Sequence, residues 1–268
     1  MIAFIIGFLI SLYALKIFLK QRNIVRQEKI NEENRKRAEA SAVAQKKYID
    51  SKKESFNSII DSLVKHDVVL DDSTVLYRQQ LRDMHELKFK NITRSFNPDT
   101  LPAFIVVDVE TTGLSATRDR IIEVSAILFE DFTPVSYFST LVNPKRTIPS
   151  EASIINNIYD SDVATAPSLE QISNSLLEFI GNCPVVGFNL AFDLKFLYCA
   201  GIDLFYKRKC YDVYLISKKA YADYLSSFSL VDVAAYNDIY FDAHNSLNDC
   251  LATGFVFEKA INEIISWF

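Results

Sequence analysis

The 268-residue sequence has four cysteines, Cys183, Cys199, Cys210 and Cys250, and no two of them form a CxxC or CxxxxC pair. That spacing excludes a zinc ribbon and a disulfide framework. It leaves reduced, mostly buried thiols and a reducing compartment as the reading. A basic balance is also missing, since the formal net charge is −5. Tight, non-specific binding of duplex nucleic acid through a broad basic face is therefore excluded. The charge is unevenly placed. Residues 1–15 carry no charged side chain, residues 16–53 carry 12 Lys/Arg against 5 Asp/Glu, and residues 54–268 carry 17 against 29. No basic stretch precedes the first apolar run and no small-x-small site follows it, so a cleaved signal peptide is excluded. From Lys20 to Lys53 there is neither proline nor glycine, and nothing there interrupts a helix.

What is present begins with an apolar run, Ile2–Leu19, broken only by Ser11, Tyr13 and Lys16. As a helix it would be about 27 Å long, close to the hydrocarbon thickness of a bilayer. Lys16 lies near enough to its end to reach the headgroups. The reading is a single membrane anchor over residues 1–19. Lys16, Lys20, Arg22, Arg26 and Lys29 all follow the span, which places the remainder on the cytoplasmic face of the cell inner membrane. Residues 20–57 read as a charged, solvated helical stalk, with Glu28, Glu32 and Lys36 at supporting i,i+4 spacing. Ile24, Val25, Ile30, Val43, Tyr48 and Ile49 are sparse for a sustained heptad seam. A weak coiled coil joining two copies through this stretch is the alternative, and its basic excess suits anionic lipid. Residues 58–100 read as a helical linker or small adaptor. Ile59, Ile60, Leu63 and Val64 stand at helical spacing, and Leu76, Leu81 and Leu87 mark a second short helix, before a turn at Ser95–Asp99.

From Leu101 the pattern changes to short apolar runs. Ala103–Val109, Ile121–Glu130 and Val135–Val142 read as three consecutive strands. A helix over Leu169–Ile180 follows, with Ser168 as its cap, then a short strand at Pro184–Gly187 and a helix over Ala191–Ala200 stopped by Gly201. Val213–Tyr224, Ser229–Tyr236 and Ser246–Trp267 complete a helix-rich C-terminal half. The fold class is α/β, a mixed sheet with flanking helices.

Three local patterns carry the chemistry. Asp108-Val109-Glu110-Thr111-Thr112-Gly113 follows the strand Phe104–Val107, so both acids point to one face at its end. Gly187-Phe188-Asn189-Leu190-Ala191-Phe192-Asp193 and His244-Asn245-Ser246-Leu247-Asn248-Asp249 complete the set. A lone DxE pair, a lone aspartate in the first turn of a helix, or a lone histidine such as His66 or His85 is ordinary surface chemistry. Three patterns in this order and spacing resemble the DEDDh family of 3′–5′ exonucleases, those of the DNA polymerase III epsilon type, over residues 101–268. Arg118–Val124 and Asn143–Pro149 resemble further segments of that family. Phe188 replaces its common histidine, and Ile155-Asn156-Asn157-Ile158 its common Ile-His-Gly-Ile.

The resemblance implies a ribonuclease H-like fold, with Asp108, Glu110, Asp193 and Asp249 holding two divalent cations, Mg²⁺ or Mn²⁺. Hard cations with oxygen ligands resolve the repulsion that four converging carboxylates would otherwise suffer. A two-cation site supports attack of water on the scissile phosphodiester. His244, five residues before Asp249, is expected in the loop ahead of the last helix, near a cap at Asn245 or Ser246. There it would act as general base, a role suited to imidazole near neutral pH. Thr111, Thr112, Gly113, Leu114 and Asn189 are the implied substrate-binding residues. The implied substrates are single-stranded or frayed 3′ ends of DNA or RNA, released as nucleoside 5′-monophosphates. Lys207-Arg208-Lys209 reads as a solvated turn before a strand, or as a guide for the substrate. The alternative from another class is a non-catalytic membrane scaffold on the same fold, which intact acids and His244 oppose.

Overall fold

A computed structural model of the chain describes residues 2–81, 87–206 and 208–266, with backbone alone for residues 2–30 and Glu33. Contacts divide it into two units, Met1–Ser51 and Lys52–Phe268. The first is helical, the leading part of α1 (Ile2–Ser62). Its described side chains are nearly all exposed, Val43 by 70 %. Glu32 pairs with Arg35 and Lys36 one turn on, contacts that add a few tenths of a kcal/mol each. Among the described residues no helix is long and apolar enough to cross a membrane. The expected anchor, Ile2–Leu19, belongs to the stretch whose side chains lie outside the description, as does His85.

The second unit is built on a six-stranded mixed sheet. Its strands are β1 (Val64–Lys65), β2 (Ala103–Thr111), β3 (Ile121–Glu130), β4 (Thr133–Leu141), β5 (Val185–Gly187) and β6 (Cys210–Asp212), in the order β1-β4-β3-β2-β5-β6. Neighbours β2, β3 and β4 are antiparallel, whereas β5 and β6 run parallel to β2. β2 is therefore central and buried on both faces, which is why Phe104–Val107 is apolar without alternation. Ile105, Val107 and Val109 face α4 (Leu169–Ile180) and α5 (Ala191–Ala200) in one core. Phe104 and Val106 face α6 (Val213–Ala220), α7 (Leu230–Tyr236) and α8 (Ser246–Ser266) in the other. α8 lies close on β3 because Gly254 has no side chain. A Cβ there would sit 2.1 Å from the Phe129 ring, so the glycine's helix penalty of about 1 kcal/mol is offset by packing. Two short helices, α2 (Ser150–Asn156) and α3 (Asp160–Val163), cover the end of β3 at Ile122.

Several elements fall where periodicity puts them, α4 and α5 among them. α6 is shorter than the expected Val213–Tyr224 and ends at Ala220, where Tyr221 turns into the core against Asn237. The larger correction concerns residues 58–100. The compact unit begins at Lys52, not at Leu101, and Phe56 and Ile92 are core residues. The second short helix expected through Leu76 is absent from residues 66–80, which run as an extended strap. Its backbone donors go to distant partners: Asp71 to the Gln171 carbonyl at 2.9 Å, Val69 to Ser175 Oγ at 3.2 Å and Gln79 to the Cys199 carbonyl at 3.1 Å. Gly201, at φ +102°, closes α5 and lets the strap pass, since a Cβ there would meet the Tyr77 carbonyl at 3.0 Å.

Candidate active site

The acids gather where β2 ends. Asp108 and Glu110 project from β2 on the face carrying Phe104 and Val106. Asp193, 3 % exposed in the first turn of α5, accepts the Val109 N–H through Oδ1 at 3.0 Å. That bond ties α5 to the backbone between the two β2 acids. Asp249 sits in the first turn of α8, and its Oδ2 accepts the His244 N–H at 3.2 Å. Its Oδ1 is buried with no hydrogen-bond partner. The loop before α8 turns at His244, whose φ of +63° is unusual for a residue with a side chain. Asn245 caps the helix by accepting the Asn248 N–H at 3.1 Å. Donor atoms of Glu110, His244 and Asp249 all lie within 4.8 Å of one another.

Electrostatics marks this cluster as incomplete without positive charge. Burial raises the Asp108 carboxyl well above its ordinary value, and Asp193, Asp249 and Glu110 raise it further. Burial, then Asp249 and Glu123, pushes Glu110 up to about 8. Asp249 rises to about 7 through burial, held back by the His244 N–H and increased by Glu123. Asp193 is raised by burial against its hydrogen bonds. No basic side chain is among these causes. An orphaned carboxylate oxygen, hard oxygen donors and mutual repulsion together fit divalent cations.

Asp108, Glu110, Asp193, Asp249 and His244 are thus brought together. The substrate-binding candidates divide. Leu114 is 88 % exposed and Asn189 also faces solvent, in a left-handed turn at φ +55°. Thr111 and Thr112 are buried, and their hydroxyls serve the loop itself. Thr111 Oγ1 donates to the Gly113 carbonyl at 2.7 Å, and Thr112 Oγ1 accepts the Arg120 N–H at 3.0 Å. A largely apolar cleft of about 310 Å³ opens beside Glu110, lined by Thr112, Gly113, Leu114, Ile155 and Phe192. The Lys207–Lys209 segment is misplaced for a guide. Arg208 grips the Gly181 carbonyl and Lys209 precedes β6, at the end of the sheet opposite the acids; Lys207 lies outside the described residues. The solvated turn is the reading that fits.

Three positioning residues escaped the motif reading. Glu123, in β3 opposite Glu110, accepts both the N–H and the hydroxyl of Ser246, at 3.1 and 2.8 Å, and so seats the start of α8. Asp212 accepts the N–H groups of Asn189 and Tyr214 and fixes the loop before α5. Asn156 is buried and its amide reaches the Thr111 carbonyl at 3.4 Å. Asn157 adopts the left-handed conformation that asparagine tolerates next best to glycine. An aspartate at a strand-to-helix junction was the one local signal; the other two partners lie 123 and 45 residues away in the chain.

Comparison with known proteins bears on this arrangement. The Exonuclease family profile, RNase T, matches residues 105–257, more than half of the chain. DNA polymerase III PolC-type of Clostridium perfringens is 32 % identical over 168 residues, covering 60 % of this chain and 12 % of its own length. DNA polymerase III subunit epsilon of Treponema pallidum is 41 % identical over 95 residues, covering 35 % of this chain and 44 % of its own. The chain thus spans less than half of either relative. Among solved structures, exonuclease I from Methylocaldum szegediense superposes with a TM-score of 0.50 at 20 % identity, over 60 % of this chain and 42 % of the other. Cell-death related nuclease 4 gives 0.51 at 16 %, over 60 % and 64 %. These likenesses establish the α/β ribonuclease H-like exonuclease fold. With its acids gathered at the end of the central strand, the chain belongs to the RNase T exonuclease family.

Proposed function

We propose that this protein is a metal-dependent 3′–5′ exonuclease of the DEDDh type, releasing nucleoside 5′-monophosphates from unpaired 3′ ends. One observation carries the reading: Asp108, Glu110, Asp193 and Asp249 converge, with Asp249 Oδ1 buried and unpartnered. Asp108, Glu110, Asp193 and Asp249 would hold Mg²⁺ or Mn²⁺, which neutralises them and polarises the scissile phosphodiester. The remaining work falls to the chain. The cleft at Leu114, Ile155 and Phe192 takes the terminal base by its apolar faces. It is too small for a base pair in a stack, so the end must be unpaired or frayed. The Thr111–Gly113 loop, held by its own hydroxyls, presents backbone to the terminal sugar. His244, at the open side of the cluster and exposed, draws the proton from the attacking water at an imidazole nitrogen. Asp249 keeps the His244 backbone in place through its other oxygen.

The test is release of mononucleotides from a 3′-labelled single strand by the full-length protein, with DNA and RNA run side by side. Hydrolysis should require divalent cation and stop with EDTA. Internal or 5′ cleavage, or turnover that survives the chelator, would overturn the assignment. We propose further, from the sequence of residues 2–29, that the protein is anchored once in the inner membrane with its catalytic domain cytoplasmic. It should stay with membranes through a carbonate wash; release by salt alone would point to lipid-attracted basic residues instead.

A further inference from the structure

A second concavity lies on the opposite face of the sheet from Asp108 and Glu110, on the side of α4 and α5. It is a cavity of about 320 Å³, large enough for a small ligand. Three arginines from separate parts of the chain line it: Arg78 from the strap, Arg120 at the start of β3 and Arg146 after β4, with Lys145 beside them. Two acids also line it, Glu170, which pairs with Lys145 at 3.4 Å, and Asp119, 4.0 Å from Arg146. Four cations against two anions leave a surplus of two positive charges, in a chain whose net charge is −5.

The arginines are built in rather than loosely arrayed. Arg78 Nη2 donates to the Ala116 and Thr117 carbonyls at 3.0 and 3.1 Å. Arg120 Nη1 donates to the Arg118 and Asp119 carbonyls, and Arg146 Nη1 to the Arg118 carbonyl at 2.8 Å. Each guanidinium thus uses one terminal nitrogen to fix its plane, and the rest of its donor fork remains for an anion. The three anchor on one loop, residues 116–119. Arg120 is held below its ordinary basicity by burial first and then by Arg78 and Arg146, a repulsion that a bound anion would relieve.

We propose that this cavity is a phosphate-binding site, taking the phosphoryl group of a free nucleotide or one backbone phosphate of a bound strand. Tetrahedral oxygens can accept from several guanidinium forks at once, whereas a carboxylate is matched by one. The site sits directly behind the substrate loop, since Arg120 and Thr112 exchange two bonds: the Arg120 N–H to Thr112 Oγ1 at 3.0 Å and the Thr112 N–H to the Arg120 carbonyl at 2.8 Å. Arg78 comes from outside the family-matched region, so the site belongs to this chain's own accessory strap. It does not depend on the exonuclease reading.

The experiment is calorimetric titration of the full-length protein in detergent, with EDTA present so that no cation recruits phosphate to the acids. The probes are a nucleoside 5′-monophosphate and a single-stranded octanucleotide. At least one should bind, and Arg78→Ala and Arg146→Ala should each weaken it about tenfold or more, as expected for a lost charge-assisted hydrogen bond. Binding of the monophosphate assigns a free nucleotide. Binding of the octamer alone, weakened by one neutral methylphosphonate linkage, assigns the strand. Arg146→Lys keeps the charge and should fall between wild type and Arg146→Ala, which guards against simple misfolding. Absence of binding by both probes, or binding that all three variants leave unchanged, would overturn the proposal. Because nothing is hydrolysed, failure here leaves the exonuclease test untouched.

Discussion

The acids and the histidine of the candidate site are held in opposite ways. Asp108 and Glu110 are fixed by a strand with neighbours on both sides, and Asp193 is locked to that strand's backbone. His244 stands on an exposed loop in a left-handed conformation, with Asp249 gripping its N–H. Cation ligands gain from rigidity, because a misplaced carboxylate loses its share of the charge. A proton acceptor must meet a water that comes and goes, and a loop allows that. The comparison predicts that damage to the acids is absolute and damage to the loop is graded.

The largest effect should come from Asp108→Ala. Several kcal/mol of charge stabilisation is lost with the ligand set, on the order of 10⁴-fold in kcat. The fold should survive, since removing one of several repelling buried carboxylates relieves strain in the metal-free protein. Near-normal turnover on a labelled strand, with unchanged Tm, would remove Asp108 from the metal set.

His244→Ala should cost less, about 10²–10⁴-fold, the range for a lost general base. The variant should keep its divalent-ion requirement and lose the acidic limb of its pH–rate profile. An acidic limb that persists in the variant would mean that His244 accepts no proton in the rate-limiting step.

A third effect is on stability rather than rate, and it separates the acids from the loop again. Glu110 at about 8 and Asp249 at about 7 lie above the ordinary carboxylate values of an unfolded chain, near 4. Raised folded values mean that the fold favours the protonated acids. The metal-free protein should therefore be most stable near pH 4–5 and lose stability as pH climbs through 7 and 8. Divalent cation should abolish that loss by binding the ionised forms. Tm measured across this range with EDTA and with Mn²⁺ gives the two curves, and parallel curves would contradict a cation site at these acids.

Much of this was legible in the sequence because it is local. Strands β2 and β3, the helices α4 and α5, and the DxE, Asn-x-x-x-Asp and His-x-x-x-x-Asp spacings are each read within one element. The strap was not, because its hydrogen bonds run to α4 and α5 and leave no period of their own. Leu76 stands at helical spacing with Leu81, yet it is coil packed on the α4–α5 core. Glu123 escaped for the same reason: its role is set by Ser246, 123 residues away. The arginine cavity is assembled from three distant segments, whereas the contiguous Lys207–Lys209 run that drew notice sits at the wrong end of the sheet.

The smallest effect probes how the histidine loop is steadied. The segment between α7 and α8 is clamped by the end of α1, where Lys52 pairs with Asp238 and Lys53 with Asp242, two residues before His244. Phe56 packs its ring 5.6 Å from that of Phe241 in the same segment. None of these α1 residues lies within the family-matched region. Exposed pairs contribute only about 0.2–1 kcal/mol to stability, so Lys52→Ala/Lys53→Ala should move Tm by a few degrees at most. If they matter, it is by narrowing the range of positions open to His244. The double variant should then lose about two- to tenfold in kcat with KM unchanged, a shift of roughly 0.4–1.4 kcal/mol in the barrier. The decisive control is the same pair of substitutions made in His244→Ala, where the loop no longer carries the base. Coupling through His244 requires that the further loss vanish there. An equal loss in both backgrounds would mean that the lysines act on the domain at large, and the division between rigid acids and a steadied loop would have to be redrawn.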